Sequence, residues 1–265
     1  MLFYLSSSRI HHGLAWYDWS NIRIPEAITT TLASIFVAAG GYVINDVFDI
    51  ETDTINRPHK RIAARHISLK TARIYYVVLT ALGIALGFFT GLGMGILCIV
   101  IAVLLYFYSS DFKGEYIMGN LLVSLIAGMV VYIASRGVYQ VSKAYFAEFA
   151  SIAFFVTFAR EIIKDVEDIE GDKAQEFETF AIQSGEKKSK ILAIFFLILS
   201  LATLVMVGIF AQQVIFWAFL GIIITPLVSF IIFKIIKAST KKDYRNVSHW
   251  LKLSMFLGLL SCLVS

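Results

Sequence analysis

The chain has 265 residues, of which 58% are hydrophobic and 16% are charged, and its formal net charge at pH 7 is +4. Soluble domains contain about 45–50% apolar and about 25% charged residues, so this composition excludes an ordinary soluble domain and indicates a polytopic membrane protein. A small basic excess in such a chain suits anionic lipid headgroups, and we expect no nucleic-acid partner.

About nine apolar segments have a length suited to crossing a bilayer as helices. In chain order they span residues 10–24, 26–49, 72–90, 94–109, 116–135, 144–163, 191–210, 214–236 and 250–264. The first is unusually polar, because it contains His11, His12 and Asp18. The predicted fold is an all-α membrane protein with one bundle of about nine transmembrane helices around a central cavity, and residues 1–265 form a single domain.

Most of the 23 Lys and Arg residues fall in alternate connections between these segments, namely those after the second, fourth, sixth and eighth. The positive-inside rule places this side in the cytoplasm. We therefore predict a multi-pass protein of the cell membrane whose cytoplasmic helix ends include those of the second and sixth predicted helices. This assignment holds whether or not the first segment spans.

Both of those helix ends carry the same acidic pattern: DVFDIETD at residues 46–53 returns as DVEDIEGD at residues 165–172. Steps of three, four and seven residues return to one helix face, so each octet aligns three carboxylates in a stripe. The stripes are Asp46, Asp49 and Asp53, and Asp165, Asp168 and Asp172. Asn45 shares a face with Asp49 and Asp53. The glutamates at 51, 167 and 170 fall off the stripes, and we expect them to be solvated.

Six carboxylates at a membrane boundary repel one another, and such a group is tolerated when a cation sits in it. Ligand sets made only of oxygen suit Mg²⁺, which typically binds one or two carboxylates together with substrate phosphates. We therefore predict that all six stripe aspartates bind Mg²⁺ and that the two stripes clamp a diphosphate. Asp49, Asp53, Asp168 and Asp172 are the predicted catalytic residues.

A diphosphate also needs direct polar partners. The candidates are Asn45, Arg57, Lys60, Arg61, Tyr108, Lys113 and Lys164. The aromatic residues Tyr106, Phe107 and Tyr108 precede Lys113, and their ring faces could stabilise an allylic cation. An alternative of another class is a membrane cation transporter, but a transporter would be expected to place its carboxylates near helix centres rather than beside basic loops.

These motifs resemble the UbiA-type intramembrane prenyltransferase superfamily. The resemblance rests on Asn45-Asp46-x2-Asp49-x3-Asp53 with Asn56-Arg57-Pro58, on Arg160-Glu161-x2-Lys164-Asp165-x2-Asp168-x2-Gly171-Asp172, and on Tyr108-Ser109, Lys113 and Gly119-Asn120. The chain departs from the family pattern where Lys60, Arg61 and Arg65 replace Arg, Pro and Gly, and where Thr179-Phe180-Ala181 replaces Thr-Leu-Pro.

Within the superfamily, the run KDVEDIEGD at residues 164–172 is most similar to the archaeal digeranylgeranylglyceryl phosphate synthases. That resemblance implies a prenyl diphosphate donor, geranylgeranyl diphosphate, and a lipid-like acceptor, geranylgeranylglyceryl phosphate, joined by an ether bond during membrane-lipid synthesis. Mg²⁺ is the implied cofactor, membrane lipids surround the chain, and no obligate protein partner is expected. A quinone-precursor ring, a haem or a chlorin would need the same diphosphate clamp, so the residues alone do not choose the acceptor, the donor length or the proton acceptor.

Overall fold

The computed structural model describes residues 24–56, 66–133, 143–211 and 213–260, and every regular element among them is helical. In chain order the helices are α1 (Ile24–Phe48), α2 (Ile50–Asn56), α3 (Leu69–Thr90), α4 (Leu92–Phe107), α5 (Met118–Ile133), α6 (Lys143–Ala174), α7 (Phe180–Ala211), α8 (Val214–Phe219), α9 (Thr225–Lys237) and α10 (Lys241–Leu260). Two five-residue π-helical turns, Tyr108–Phe112 and Leu220–Ile224, follow α4 and α8. The all-α prediction is confirmed.

Five stretches of the described residues are long and apolar enough to cross a membrane. They are Ile24–Phe48, Leu69–Thr90, Leu92–Phe112, Phe180–Phe210 and Val214–Lys237, with Met118–Ile133 as a shorter apolar helix. Large apolar side chains such as Phe89 and Val214, each 82% exposed, lie on the outer surface. Exposed apolar area of this extent is typical of a lipid-facing surface.

The first predicted segment lies almost wholly outside the described residues. The sixth and ninth predicted segments fall in α6 and α10, which mix apolar turns with several charged residues. The count of nine spanning helices therefore stays a prediction.

The chain forms two compact units. One, called here the motif unit, comprises Ile28–Val123 and Asp168–Gln183. Within it α3 and α4 form an antiparallel pair joined at Gly91, and the Thr90 hydroxyl donates to Thr29 Oγ1 of α1 at 2.8 Å. This unit holds the first acidic octet together with Asp168 and Asp172 of the second.

The other unit, called here the second unit, comprises Met1–Ala27, Ser124–Glu167 and Ser184–Ser265. Its core contains fully buried Phe146, Ile162 and Leu197, and the Phe196 ring lies 4.2 Å from that of Phe158, centroid to centroid. The predicted single domain is not decided by this division and stays a prediction.

Two local features shape the helices of the second unit. Gly185 has φ of +81°, which glycine adopts without strain, and it kinks α7 near its start. Pro226 lies in the first turn of α9, directly after the Leu220–Ile224 π-helical turn. Because proline lacks an N–H, a break in the regular hydrogen-bond ladder at this point is expected.

A polar contact fixes the connection between α9 and α10 in the second unit. The Lys190 ammonium donates to the carbonyl of Ala238 at 2.5 Å and pairs with Glu186 at 2.7 Å. The Tyr244 hydroxyl donates to the same carbonyl at 3.3 Å. Burial, and then the neighbouring Glu186, raise the pKa of the Tyr244 phenol well above its usual range. Lys190 therefore has a structural role.

Candidate active site

The first acidic octet keeps helical geometry although α1 ends within it. Asp49 forms a one-residue turn between α1 and α2, yet its N–H donates to the Asn45 carbonyl at 2.9 Å. The Asp53 N–H in turn donates to the Asp49 carbonyl at 2.7 Å. Because the four-residue hydrogen-bond spacing continues, Asn45, Asp49 and Asp53 share one face, as their spacing predicts. Glu51 is exposed, also as expected.

The second octet lies within one continuous helix, α6. Its stripe is therefore regular, and it becomes more buried along the chain: Asp165 is half-buried, whereas Asp168 and Asp172 are 8% and 4% exposed. In the first octet Asp49 and Asp53 are equally enclosed, at 5% and 4% exposed, and Asp46 is half-buried. The four residues predicted to be catalytic are thus the four most buried members of the two stripes.

One expectation about the second octet is wrong. Glu167 is buried rather than solvated, and Arg245 Nε donates to its Oε1 atom at 3.2 Å. Helical phase correctly puts Glu167 off the stripe, but the face that it occupies is buried, and its carboxylate pairs with Arg245 of α10. Glu170 is exposed as expected.

A short loop after the π-helical turn contacts both sequence segments of the motif unit, Ile28–Val123 and Asp168–Gln183. The Lys113 ammonium forms an ion pair with the Asp49 carboxylate. The next residue, Gly114, accepts a hydrogen bond at its carbonyl from the Glu178 N–H at 2.9 Å. The Phe177 N–H in turn donates to the Asp172 carbonyl at 3.0 Å. The loop therefore touches the first octet on one side and the segment that follows Asp172 on the other.

The backbone before Lys113 explains where that side chain lies. Residues Tyr108–Phe112 form a π-helical turn, and the Lys113 N–H donates to the Tyr108 carbonyl at 2.9 Å. Gly119 at the start of α5 lies so close that a Cβ there would be 2.7 Å from the Phe112 carbonyl oxygen and 3.1 Å from the Lys113 Cα. A side chain at position 119 would therefore push the loop away. Tyr108 and Ser109 are both buried in this turn.

Asn45 is the residue whose surroundings point most directly to a cation. Its Nδ2 donates to Asp49 Oδ2 at 2.6 Å, whereas its Oδ1 is buried and has no hydrogen-bond partner among the described residues. A buried carbonyl-type oxygen without a donor is costly unless something electropositive occupies the space beside it. Together with the neighbouring carboxylates, this oxygen fits the ligands that Mg²⁺ takes.

Within the described residues, no group of three or more Asp, Glu, His or Cys side chains lies close enough to hold a metal ion by itself. The metal-binding role of the six aspartates therefore stays a prediction.

The remaining predicted site residues divide between the described and undescribed parts of the chain. Arg57, Lys60 and Arg61 lie outside the described residues. Lys164, in the second unit, is half-buried, with its Nζ atom 3.6 Å from Glu161 Oε2. Tyr106 lines a cavity of about 560 Å³ in the motif unit, and Glu51 rather than Asp49 is among the other lining residues. The role of the aromatic rings in the reaction stays a prediction.

With this geometry established, the chain is an integral membrane protein whose paired acidic motifs suit a Mg²⁺–diphosphate ligand. The model of the UbiA prenyltransferase family matches residues 11–260. The protein from Methanosphaera stadtmanae named digeranylgeranylglyceryl phosphate synthase is 33% identical over 231 residues, which cover 86% of this chain and 83% of that protein. The protein of the same name from Korarchaeum cryptofilum is 32% identical over 253 residues, covering 94% and 89%. This chain belongs to the UbiA prenyltransferase family.

Solved structures show the same fold. A structure described as that of digeranylgeranylglyceryl phosphate synthase in membranes matches with a TM-score of 0.72 and 27% identity, covering 99% of this chain and 90% of that one. A UbiA homologue from Archaeoglobus fulgidus bound to GPP and Mg²⁺ matches with a TM-score of 0.67 and 18% identity, covering 98% and 95%. At 18% identity the second likeness supports the fold alone.

Proposed function

We propose that the protein transfers a geranylgeranyl group from geranylgeranyl diphosphate to the free hydroxyl of geranylgeranylglyceryl phosphate, forming an ether bond in archaeal-type membrane-lipid synthesis. The observation that carries the proposal is the Lys113 loop, which contacts the first acidic octet and the segment after the second within one compact unit. The choice of acceptor is supported by relatives named digeranylgeranylglyceryl phosphate synthase that match across most of the chain.

The two stripes would hold opposite edges of the donor's diphosphate. On one edge, Asn45 Oδ1 and the carboxylates of Asp46, Asp49 and Asp53 are the candidate ligands; Asp165, Asp168 and Asp172 serve the other. Mg²⁺, when bound, offsets the negative charge that develops on the leaving diphosphate. Asn45 also orients Asp49, because its amide donates to one of the two carboxylate oxygens.

Direct contacts to the diphosphate come from cationic and hydroxyl side chains. Lys113 is positioned for this by its pairing with Asp49, and Tyr108 lies in the turn just before it. Lys164 precedes Asp165 on α6. Arg57, Lys60 and Arg61, which follow the first octet directly, complete the proposed set. Fixed cations at a site shielded from water stabilise the charge of a departing diphosphate more strongly than solvent does.

The bond changes are those of an alkylation. The C1–O bond of the donor breaks, and its electron pair leaves with the diphosphate. The acceptor's hydroxyl oxygen forms the new bond to C1, and the hydroxyl proton passes to a carboxylate or to a water molecule. The burial of Asp49, Asp53, Asp168 and Asp172 supports a site from which bulk water, the competing nucleophile, is excluded.

We further propose that the site faces the cytoplasm. Support comes from the basic residues that follow each acidic octet, since cytoplasmic loops carry the excess of Lys and Arg. Membrane-lipid precursors made in the cytoplasm would then reach the site without crossing the bilayer. Labelling of an introduced cysteine at exposed Lys187 by a membrane-impermeant maleimide tests the orientation: in intact cells it should fail, and in inverted vesicles it should succeed.

The activity is tested with purified protein, Mg²⁺ and labelled geranylgeranyl diphosphate. A panel of acceptors, comprising geranylgeranylglyceryl phosphate, a quinone-precursor ring, haem and a chlorin, is offered in parallel, and products are identified by mass. Transfer to geranylgeranylglyceryl phosphate is expected. Asp49→Ala should abolish it, whereas Glu51→Ala, an exposed carboxylate two residues away, should retain it within a few-fold. Transfer only to another acceptor would reject the proposed substrate, and an active Asp49→Ala would reject the clamp.

A further inference from the structure

A second polar cluster lies on α6, within the second unit, before the acidic stripe begins. Thr157, Arg160, Glu161 and Lys164 follow the spacing i, i+3, i+4 and i+7, which puts them on one helix face. Most other residues of the surrounding stretch, residues 144–163, are apolar, apart from Glu148 and Ser151. Charged and hydroxyl side chains that are buried in such a stretch are costly unless their polar atoms have partners. We call these four residues the α6 polar face.

The contacts within the α6 polar face leave two buried polar atoms without partners. Arg160 Nη1 pairs with Glu161, and Lys164 Nζ lies 3.6 Å from the same carboxylate. Arg160 Nε, however, is buried and has no hydrogen-bond partner among the described residues, and neither has the Oγ1 atom of Thr157. Thr157 itself is only 5% exposed. An N–H donor and a hydroxyl donor therefore lie one helical turn apart, and neither has an acceptor among the described residues.

Buried donors of this kind are costly unless a ligand accepts their hydrogen bonds. A guanidinium with a free N–H suits a phosphate or carboxylate, and a nearby hydroxyl adds a second donor for another oxygen of the same group. A phosphomonoester offers three acceptor oxygens and carries between one and two negative charges near pH 7. Its charge also requires separation from the donor's diphosphate, because like charges repel.

We infer that the α6 polar face binds the phosphomonoester headgroup of the acceptor, with Arg160 Nε and Thr157 Oγ1 as its donors. This inference rests on the proposed function, which supplies an acceptor that bears a phosphate. Arg160 precedes Asp165 by five residues, about 7.5 Å along an α-helix, so the headgroup lies beside the diphosphate stripe rather than in it. Glu161 holds the guanidinium in place.

The test compares two acceptors that differ only in the phosphate: geranylgeranylglyceryl phosphate and geranylgeranylglycerol. The full-length protein is assayed with Mg²⁺ and geranylgeranyl diphosphate. Arg160→Gln should lower kcat/KM for the phosphorylated acceptor by about 10- to 100-fold, the loss expected for one charge-assisted hydrogen bond. The kcat/KM for geranylgeranylglycerol and the KM for the donor should change by less than about threefold, and Arg160→Lys should restore part of the loss.

The matched control is Arg245→Gln, which removes another arginine paired with a buried glutamate, in this case Glu167. It should leave the preference for the phosphorylated acceptor unchanged. If the Arg160→Gln variant does not fold, Thr157→Val provides the second test of the inference. Because the Thr157 hydroxyl has no partner among the described residues, its removal should not lower Tm, yet it should lower kcat/KM for the phosphorylated acceptor about fivefold.

The outcomes separate the inference from the proposed function. If the wild-type protein transfers to neither glyceryl acceptor, the proposed function and this inference fall together. If it transfers but Arg160→Gln and Thr157→Val keep the wild-type preference, the inference alone is overturned. Equal losses of activity toward both acceptors would also overturn it, because the α6 polar face would then be structural.

Discussion

Replacement of Lys113 by methionine separates binding of the diphosphate from support of the metal ligands. The lysine side chain is 17% exposed and that of its partner Asp49 is 7% exposed, so the ion pair is largely shielded from water. Removing one partner of a fully buried pair costs about 3–5 kcal/mol. Here the partial exposure of Lys113 and the remaining hydrogen bond from Asn45 to Asp49 reduce the expected loss of stability to about 1–3 kcal/mol.

The kinetic effect follows from the proposed contact with the donor. One charge-assisted hydrogen bond contributes about 1.5–3 kcal/mol, and each 1.4 kcal/mol is tenfold, so Lys113→Met should lower kcat/KM for geranylgeranyl diphosphate by about 10- to 100-fold. Metal binding should not weaken, because the variant removes a cation that competes for Asp49. The metal readout is Mn²⁺ binding to the protein without donor, measured by paramagnetic resonance.

The assay uses initial rates at varied donor concentration with a saturating acceptor, alongside the thermal midpoint in detergent. Lys187→Met is the control, since Lys187 is an exposed lysine of the second unit. An unchanged kcat/KM for the donor in Lys113→Met would refute the assignment of Lys113 to the diphosphate. A large fall in Mn²⁺ affinity would instead show that the lysine mainly maintains the shape of the metal site.

Three further outcomes are expected. Gly119→Ala should destabilise the protein by about 1–3 kcal/mol in thermal unfolding and reduce transfer, because the added Cβ would clash with the Phe112 carbonyl oxygen. Gly221→Ala is the control and should not destabilise the protein, because a Cβ at position 221 would meet nothing within 4 Å. Arg245→Gln should lower the free energy of unfolding by about 1–2 kcal/mol, because buried Glu167 loses this partner, and kcat should be unchanged. An unaltered Tm would mean that the ion pair does not contribute to stability. Chelation of Mg²⁺ with EDTA should abolish product formation and its re-addition should restore it, whereas transfer that persists in EDTA would contradict the metal assignment.

Periodicity alone predicts much of the fold and the composition of the acidic stripes. The i, i+4, i+8 spacing of Asn45, Asp49 and Asp53 places them on one face, and the structure keeps that face although the helix changes at Asp49. Such predictions succeed because the geometry of a helix depends on local hydrogen bonds. They concern which residues share a face, and they do not specify what lies opposite.

Two features that periodicity does not predict depend on a partner distant in the chain, and a third is a threonine without a partner among the described residues. Glu167 is buried, and its carboxylate pairs with Arg245, which lies on another helix of the second unit. The pairing of Lys113 with Asp49 joins residues 64 positions apart, and Lys113 follows a π-helical turn that the sequence pattern does not predict. Thr157 does not stand out in the sequence despite its spacing to Arg160 and Lys164, because a single threonine in an apolar helix usually bonds to its own backbone.

The contacts of Asp49 suggest an order of events at the site. Both of its carboxylate oxygens have a donor: Lys113 at one and the Asn45 amide at the other. A free divalent cation would have to displace the lysine, and the displaced ammonium would then lack an anion. A donor diphosphate would supply that anion, so Lys113 could contact the diphosphate and leave Asp49 available to a metal ion. The ion pair thus offsets the charge of Asp49 and links the first acidic stripe to the loop that would hold the diphosphate.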